Sequence, residues 1–208
     1  MDMSKPWISI WLRTRETIRE SLSETPRLTK MVLVALFGIV FGYDMAVSQE
    51  LGDKYSLGLI LWGSPLTGIL NAFIYWLVIS WLVYWIGSRL FNGDGDWEET
   101  RTAMAWAGVP FIAKLILWIP QWLLFGKDNF TTETPLLDTS VGLSVLFWLF
   151  GLLDLILTIW YFVVLSKSIG EVHGISSILG FGIVMLSYLA VILVLVMISL
   201  VTFGLLMG

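Results

Sequence analysis

The sequence predicts an all-α integral membrane protein, five transmembrane helices with an N-terminal cytoplasmic amphipathic helix. Three observations lead there. Of 208 residues, 57% are hydrophobic and only 13% charged, with a mean hydropathy of +0.85, well outside the range of soluble domains. Apolar stretches near the roughly 20 residues that cross a hydrocarbon core of about 30 Å occur five times. The connections at 49–64, 92–102, 127–140 and 167–174 are short, so none holds a soluble catalytic domain. The chain divides into a cytoplasmic segment, 1–30, and a transmembrane domain, 31–208.

In the N-terminal segment, Trp7, Trp11, Ile18 and Leu22 recur at helical spacing while Arg13, Glu16, Arg19 and Glu20 fall away from that stripe. This describes an amphipathic helix over 5–22. Tryptophans flanked by Arg13, Arg15 and Arg19 suit the headgroup region, where indoles are stable and arginines meet anionic lipid. The same face would serve equally to pack on the protein's own spans or to dock a membrane protein partner.

The first span, 31–48, carries one charge, Asp44. Ala46-Val47-Ser48 loosely resembles a signal-peptidase site, but thirty residues ahead of the apolar segment are too many for a signal n-region, so the span is expected to be retained. The uncharged run 55–88 is too long for one upright helix. Proline suits a first helical turn and disfavours helix in the residue before it, so Pro65 places the second span at 65–91 and leaves 57–63 as a short interfacial or re-entrant piece. The third span, 103–126, contains Pro110, Lys114 and Pro120, and kinks are expected at the prolines. Just before it, Asp96 reads as a helix N-cap and Glu99 as acidic first-turn support. The fourth span, 141–166, contains Asp154. The fifth lies within the uncharged stretch 174–208, with Gly180 and Gly182 expected to bend its beginning.

Orientation follows from the basic residues near span ends. Lys5, Arg13, Arg15, Arg19, Arg27, Lys30, Arg89, Arg101 and Lys167 fall on the side of the N-terminus, against Lys54 and Lys127 on the other, a ratio of 9 to 2. The positive-inside rule then puts the N-terminus in the cytoplasm of a cell membrane and the C-terminus outside.

Ionisable residues at the centre of a membrane helix cost about 2.5 to 3.5 kcal/mol on insertion scales, so they normally face the bundle and have partners. Lys114 and Asp154 lie halfway along consecutive antiparallel spans, which predicts an ion pair acting either as a register lock or as a gate or relay. Asp44, in the outer third of its span, is expected to share an outer polar cluster with Asn71 and Gln121. Trp62, Trp118 and Trp122 near one interface and Trp97 and Trp106 near the other are expected to form aromatic belts.

Several functions are disfavoured. A net charge of −4, from 12 Lys+Arg and 16 Asp+Glu, argues against binding nucleic acid. The absence of cysteine removes thiolate chemistry, a single histidine leaves no metalloprotease pair, and no phosphate-binding loop of the G-x-x-x-x-G-K-[ST] type occurs. Tyr43-Asp44 and Gly93-Asp94-Gly95-Asp96 mimic intramembrane aspartyl proteases, but the carboxylates would lie at different depths rather than share a proton. Asp94, Asp96, Glu98, Glu99, Glu171 and His173 gather with Arg101 on the cytoplasmic side. Their oxygens suit a hard cation, yet nothing fixes a coordination number, and His173 beside Glu171 reads as a loop hydrogen-bonder. No enzyme activity, cofactor or metal is expected.

Trp7-Ile8-Ser9-Ile10-Trp11-Leu12-Arg13-Thr14-Arg15-Glu16-Thr17-Ile18-Arg19 resembles the opening of the bacterial branch of the Yip domain family, the Ypt/Rab-interacting membrane proteins. Leu51-Gly52-Asp53-Lys54-Tyr55-Ser56, then Arg101 with Ala105, Trp106 and Pro110, then Gly170-Glu171-Val172-His173-Gly174 continue the likeness in family order. Thr14 stands where the family usually has proline, and His173 where glutamine is more common. The resemblance implies a noncatalytic five-span protein with a cytosolic N-terminus, an accessory or interaction subunit in membrane transport or membrane organisation. Partners would be membrane lipid and a membrane protein, with ATP-driven (ABC-type) exporter subunits as one candidate. The alternative is a transporter, channel or lipid-handling protein that uses the Lys114/Asp154 pair.

Overall fold

The structure, a computed structural model, describes the backbone of residues 5–207 and the side chains of residues 6–203. Lys5, counted above, and the last residues of the fifth span therefore lie outside the described side chains. The elements are α1 (Lys5–Ser9), α2 (Thr14–Glu24), α3 (Arg27–Ser48), α4 (Leu57–Leu90), α5 (Trp97–Ala107), α6 (Val109–Ile112), α7 (Lys114–Phe125), α8 (Pro135–Asp138), α9 (Val141–Val172) and α10 (Ser177–Met207), with 3₁₀ turns at Leu51–Asp53 and Gly126–Phe130. Among the described residues five stretches are long and apolar enough to cross a membrane: Arg27–Ser48, Leu57–Leu90, Trp97–Phe130, Val141–Val172 and Ser177–Phe203.

The N-terminal segment is two helices, not one, and it does not lie apart from the bundle. The chain turns between Ser9 and Thr14, where the Arg13 amide donates to the Ser9 carbonyl at 2.7 Å. That turn rotates the apolar positions inward. Ile10 and Ile18 are fully buried, Trp7 meets Trp106 edge-on at 5.8 Å, and α2 packs on α9 and α5. Ile8 and Leu12 are left outside, off the predicted stripe.

The second span is α4, one continuous 34-residue helix with Pro65 inside it, so 57–63 is no separate piece. At 1.5 Å per residue it is about 50 Å long, more than a hydrocarbon core needs. A proline at position 65 frees the carbonyl of Leu61, four residues earlier. The Tyr43 hydroxyl of α3 donates to that carbonyl at 2.9 Å, which removes the penalty that made a break seem necessary.

Helices α3 and α4 form the most extensive contact in the fold. Their backbones touch through Gly38-x-x-x-Gly42 on one side and Ser64-x-x-x-Gly68-x-x-x-Ala72 on the other, the small-residue stripe by which membrane helices approach closely. A Cβ built on Gly42 would lie 2.0 Å from the Ser64 carbonyl oxygen, and one on Gly68 would lie 2.2 Å from that of Gly38.

The third span begins at Trp97, earlier than 103, and tightens locally at Gly108 and at Ala113 on either side of α6, both residues staying in the right-handed helical region. Pro110 sits in the first turn of α6, while α7 runs through Pro120 without a break. The fifth span is likewise uninterrupted. Gly180 serves close packing instead of a bend, since a Cβ there would lie 2.3 Å from the Ser166 carbonyl oxygen, and Gly182 faces open space. Where α3, α4, α6, α9 and α10 converge, Phe37 stacks on Phe111 at 4.4 Å and meets Tyr161 at 5.7 Å and Tyr75 at 6.0 Å. The hydroxyl of Tyr75 bonds to that of Tyr188.

Candidate functional site

Lys114 is the first residue of α7, directly after the tightened turn at Ala113, and it is only 2% exposed. Its ammonium lies 2.7 Å from Asp44 Oδ2 on α3 and 2.8 Å from Asp154 Oδ1 on α9, and 4.4 Å from the centroid of the Phe111 ring. The ammonium donates to Asp44, lies within ion-pair distance of Asp154, and presents its positive charge to the face of the Phe111 ring. With all three groups ionised the cluster carries one negative charge in excess. Asp44 and Asp154 are 30% and 37% exposed, so both carboxylate side chains border open space.

They open into a cavity of about 480 Å³, lined by Trp118, Phe147 and Trp148 and reaching Gln121, Val47 and Asn129. Val47 is near the end of α3 and Asn129 is in the 3₁₀ turn after α7, so the cavity leads toward the face opposite α1 and α2. Asn129 donates to the Gln121 carbonyl at 3.0 Å and so anchors that mouth.

The expected cluster of Asp44, Asn71 and Gln121 does not form. Asn71 donates to the Thr67 carbonyl of its own helix and is exposed, because the inward stripe of α4 is Ile60, Ser64, Gly68, Ala72 and Trp76. Gln121 shares the cavity with Asp44 but spends its amide on the Leu117 carbonyl. Asp44 instead turns to Lys114. Lys114 lies at the middle of Trp97–Phe130, and α3, which bears Asp44, packs against α6 directly before it. Trp118 and Trp106 are not belt residues: both are buried, Trp118 stacked on Phe130 and Trp106 donating to Thr25 Oγ1 at 2.8 Å. Trp62 and Trp97 are exposed.

At the opposite end, the charged residues form two separate clusters. Glu171, on the last turn of α9, accepts from Arg19 Nε at 2.7 Å and Arg15 Nη1 at 3.2 Å, and Arg15 Nη2 continues to the Ile175 carbonyl at 2.7 Å. The hydrogen bond and charge of Glu171 hold the Arg19 guanidinium above its ordinary pKa. Glu98 pairs with Lys30 and Arg101, whose guanidinium lies 4.3 Å over the Trp97 ring. Asp96 and Glu99 cap α5 reciprocally, the Glu99 amide donating to Asp96 Oδ1 at 2.8 Å. Among the described residues no three His, Asp or Glu side chains are grouped to hold a metal ion. Arg13 is exposed and makes no ion pair among the described residues.

His173 is not a hydrogen-bonding loop residue. It is 1% exposed, and neither ring nitrogen has a partner among the described residues. The imidazole lies against Gly87 and Gly93, where an added Cβ would come within 2.6 Å of the ring. Burial pushes its pKa below the ordinary 6.5, partly offset by Asp94. Because the folded protein keeps this imidazole neutral to lower pH than an unfolded chain would, unfolding takes up a proton in that interval. Stability is therefore full above about pH 6.5 and falls as the pH drops below it. The unfolding midpoint in mild detergent should fall between pH 7.5 and pH 5.5, and H173Q should flatten the part of that fall due to His173; an identical slope in the variant would refute the assignment.

The α3–α4 glycine stripe and the Tyr43 hydroxyl are the structural residues that the spacing of charges does not reveal. The G-x-x-x-G pattern at Gly38 and Gly42 is visible in the sequence; the role of Tyr43 is not, because it depends on a neighbouring helix.

No curated protein and no solved structure matches the chain. A profile of the Yip1 domain matches residues 8–199, which span all three members of the Lys114 cluster and at least part of every transmembrane helix. The chain with this buried lysine between two carboxylates therefore belongs to the Yip1 domain family of membrane proteins.

Proposed function

We propose that the protein is a noncatalytic membrane-transport component whose mid-membrane cavity binds a cation of the ammonium class, entering from the face opposite α1 and α2. One observation carries this reading: two carboxylates converge on a single buried lysine, and both line the cavity while staying partly exposed. A register lock between helices needs one acid for one base and is best closed off. A second, partly exposed carboxylate leaves a negative charge that a ligand cation can balance. Lys114 itself displays the recognition chemistry, an ammonium held by carboxylates over a phenyl ring, and Trp148 and Phe147 offer further aromatic faces. In the orientation given by the basic residues, entry is extracytoplasmic.

Proteoliposomes of the purified chain test this. Uptake of labelled ethanolamine should exceed that of empty vesicles and fall roughly ten-fold or more in D154N, in proportion to one lost charge-assisted contact. Uptake no greater than in empty vesicles would refute transport by this chain alone.

A second reading has its own support. From Val191 to Phe203 nearly every residue of α10 is exposed, so half of this helix stands clear of the bundle. Such a surface suits an accessory subunit seated against another membrane protein, and with no phosphate-binding loop in the chain, an exporter's ATP hydrolysis would belong to that partner.

A further inference from the structure

On the α1–α2 side of the bundle, the end of α9 and the start of α10 enclose an apolar groove of about 560 Å³, walled by Ile159, Phe162, Val163, Phe181 and Met185. Its boundary includes Lys167 and Ser177. The same two residues border a polar pocket of about 260 Å³ whose other walls are Arg13, Arg15, Glu16 and their neighbours in the turn between α1 and α2. An apolar channel and a basic pocket thus meet at one point, at the depth where a membrane span gives way to its flanking turn.

The charges at that junction are unequal in their commitments. Arg15 is bound to Glu171, the Ile175 carbonyl and Ser177 Oγ. Arg13 and Lys167 make no ion pair among the described residues, and Glu16 is the single acid lining the pocket. The Ser177 hydroxyl accepts from Arg15, which leaves its own hydrogen to donate. Two uncommitted cations and a hydroxyl make a phosphate-binding set, and the groove beside them has the chemistry of an acyl chain.

We propose that this composite site holds one anionic phospholipid, its phosphate between Arg13 and Lys167 beside Ser177 and an acyl chain along the α9–α10 groove. The lipid belongs to the leaflet on the α1–α2 side and ties the N-terminal helices to α9 and α10. A soluble phosphate ester would occupy only the polar pocket and would leave the groove unused. The site is separate from the cation cavity, which opens toward the other face.

The test is native mass spectrometry of the full chain released from mild detergent, with phosphatidylglycerol and phosphatidylcholine of identical chains added in turn. The chain should retain phosphatidylglycerol roughly ten-fold or more over phosphatidylcholine. Each of R13Q and K167Q should cut that preference roughly five-fold, and the double variant should abolish it, as expected for cations near a membrane surface. V163W, which fills the groove, should lower retention of both lipids, with helix content by circular dichroism checked in every variant. Glycerol 3-phosphate added at the lipid's concentration should not compete. Equal retention of the two lipids, a preference that survives the double variant, or displacement by glycerol 3-phosphate would each overturn the proposal.

Discussion

K114M is expected to be among the most damaging single substitutions in the membrane-spanning part of the protein, lowering stability by roughly 3 to 5 kcal/mol. The methionine fills much of the same volume, so the loss is electrostatic. Asp44 and Asp154, now bridged by one ammonium at 2.7 Å and 2.8 Å, would face each other with nothing between them. Two carboxylates held close in a medium of low dielectric repel strongly and must take up a proton or force their helices apart. D154N should cost less, because Lys114 keeps Asp44. The triple variant K114M/D44L/D154L should recover much of the loss, since replacing a complete buried ionic group by apolar residues is often neutral or favourable. Denaturation in mild detergent measures all three. If K114M unfolds at the wild-type midpoint, the lysine is not holding the carboxylates together.

G42L is expected to have an effect of similar size through packing alone. The added Cβ would lie 2.0 Å from the Ser64 carbonyl oxygen and 2.7 Å from its carbonyl carbon, and both obstacles are backbone. No rotamer relieves that contact, so α3 and α4 must separate. Overpacking generally costs about 1 to 3 kcal/mol, and the upper end or beyond is expected where a whole helix contact opens. Separation would also draw Tyr43 away from the Leu61 carbonyl and leave the gap before Pro65 unfilled. G58A and G63A are suitable controls, because nothing lies within 4 Å of a Cβ at either position. The unfolding midpoints of the three variants decide the matter: G42L must fall well below both controls, and parity among them would contradict the close crossing.

These two sites differ in how far they could be read in advance. The five spans follow from hydropathy, which depends on runs of residues and survives any local irregularity. Depth along consecutive helices singles out Lys114 and Asp154, but nothing in it places Asp44 beside them. That contact depends on α3 packing beside the α6–α7 junction, a product of tertiary packing, although the start of α5 at Trp97 follows locally from the Asp96 cap. Pro65 misleads for the same kind of reason. The rule that proline divides helices is local, whereas the hydroxyl that satisfies the freed carbonyl comes from Tyr43 on another helix. In the N-terminal segment the periodicity of Trp7, Trp11 and Ile18 is real, yet it spans a turn and so does not describe one continuous face. Its apolar residues go to the bundle, and Arg15 and Arg19 go to Glu171. Asn71 illustrates the limit of depth as a guide, since it sits one position from the inward-facing Ala72 and points away from the cluster it was expected to join.

The most direct measurement of the account is a calorimetric titration of the purified chain with ethanolamine and choline in mild detergent, repeated with D154N and with Q121A. Saturable binding of at least one of these cations is expected in the wild type. It should weaken roughly 10- to 100-fold in D154N, the range for losing one hydrogen bond to a charged group, and change little in Q121A, whose amide is already spent on its own helix. Absence of binding by either cation, or equal affinity in wild type and D154N, would contradict the claim that the excess carboxylate in this cavity exists to hold a cation.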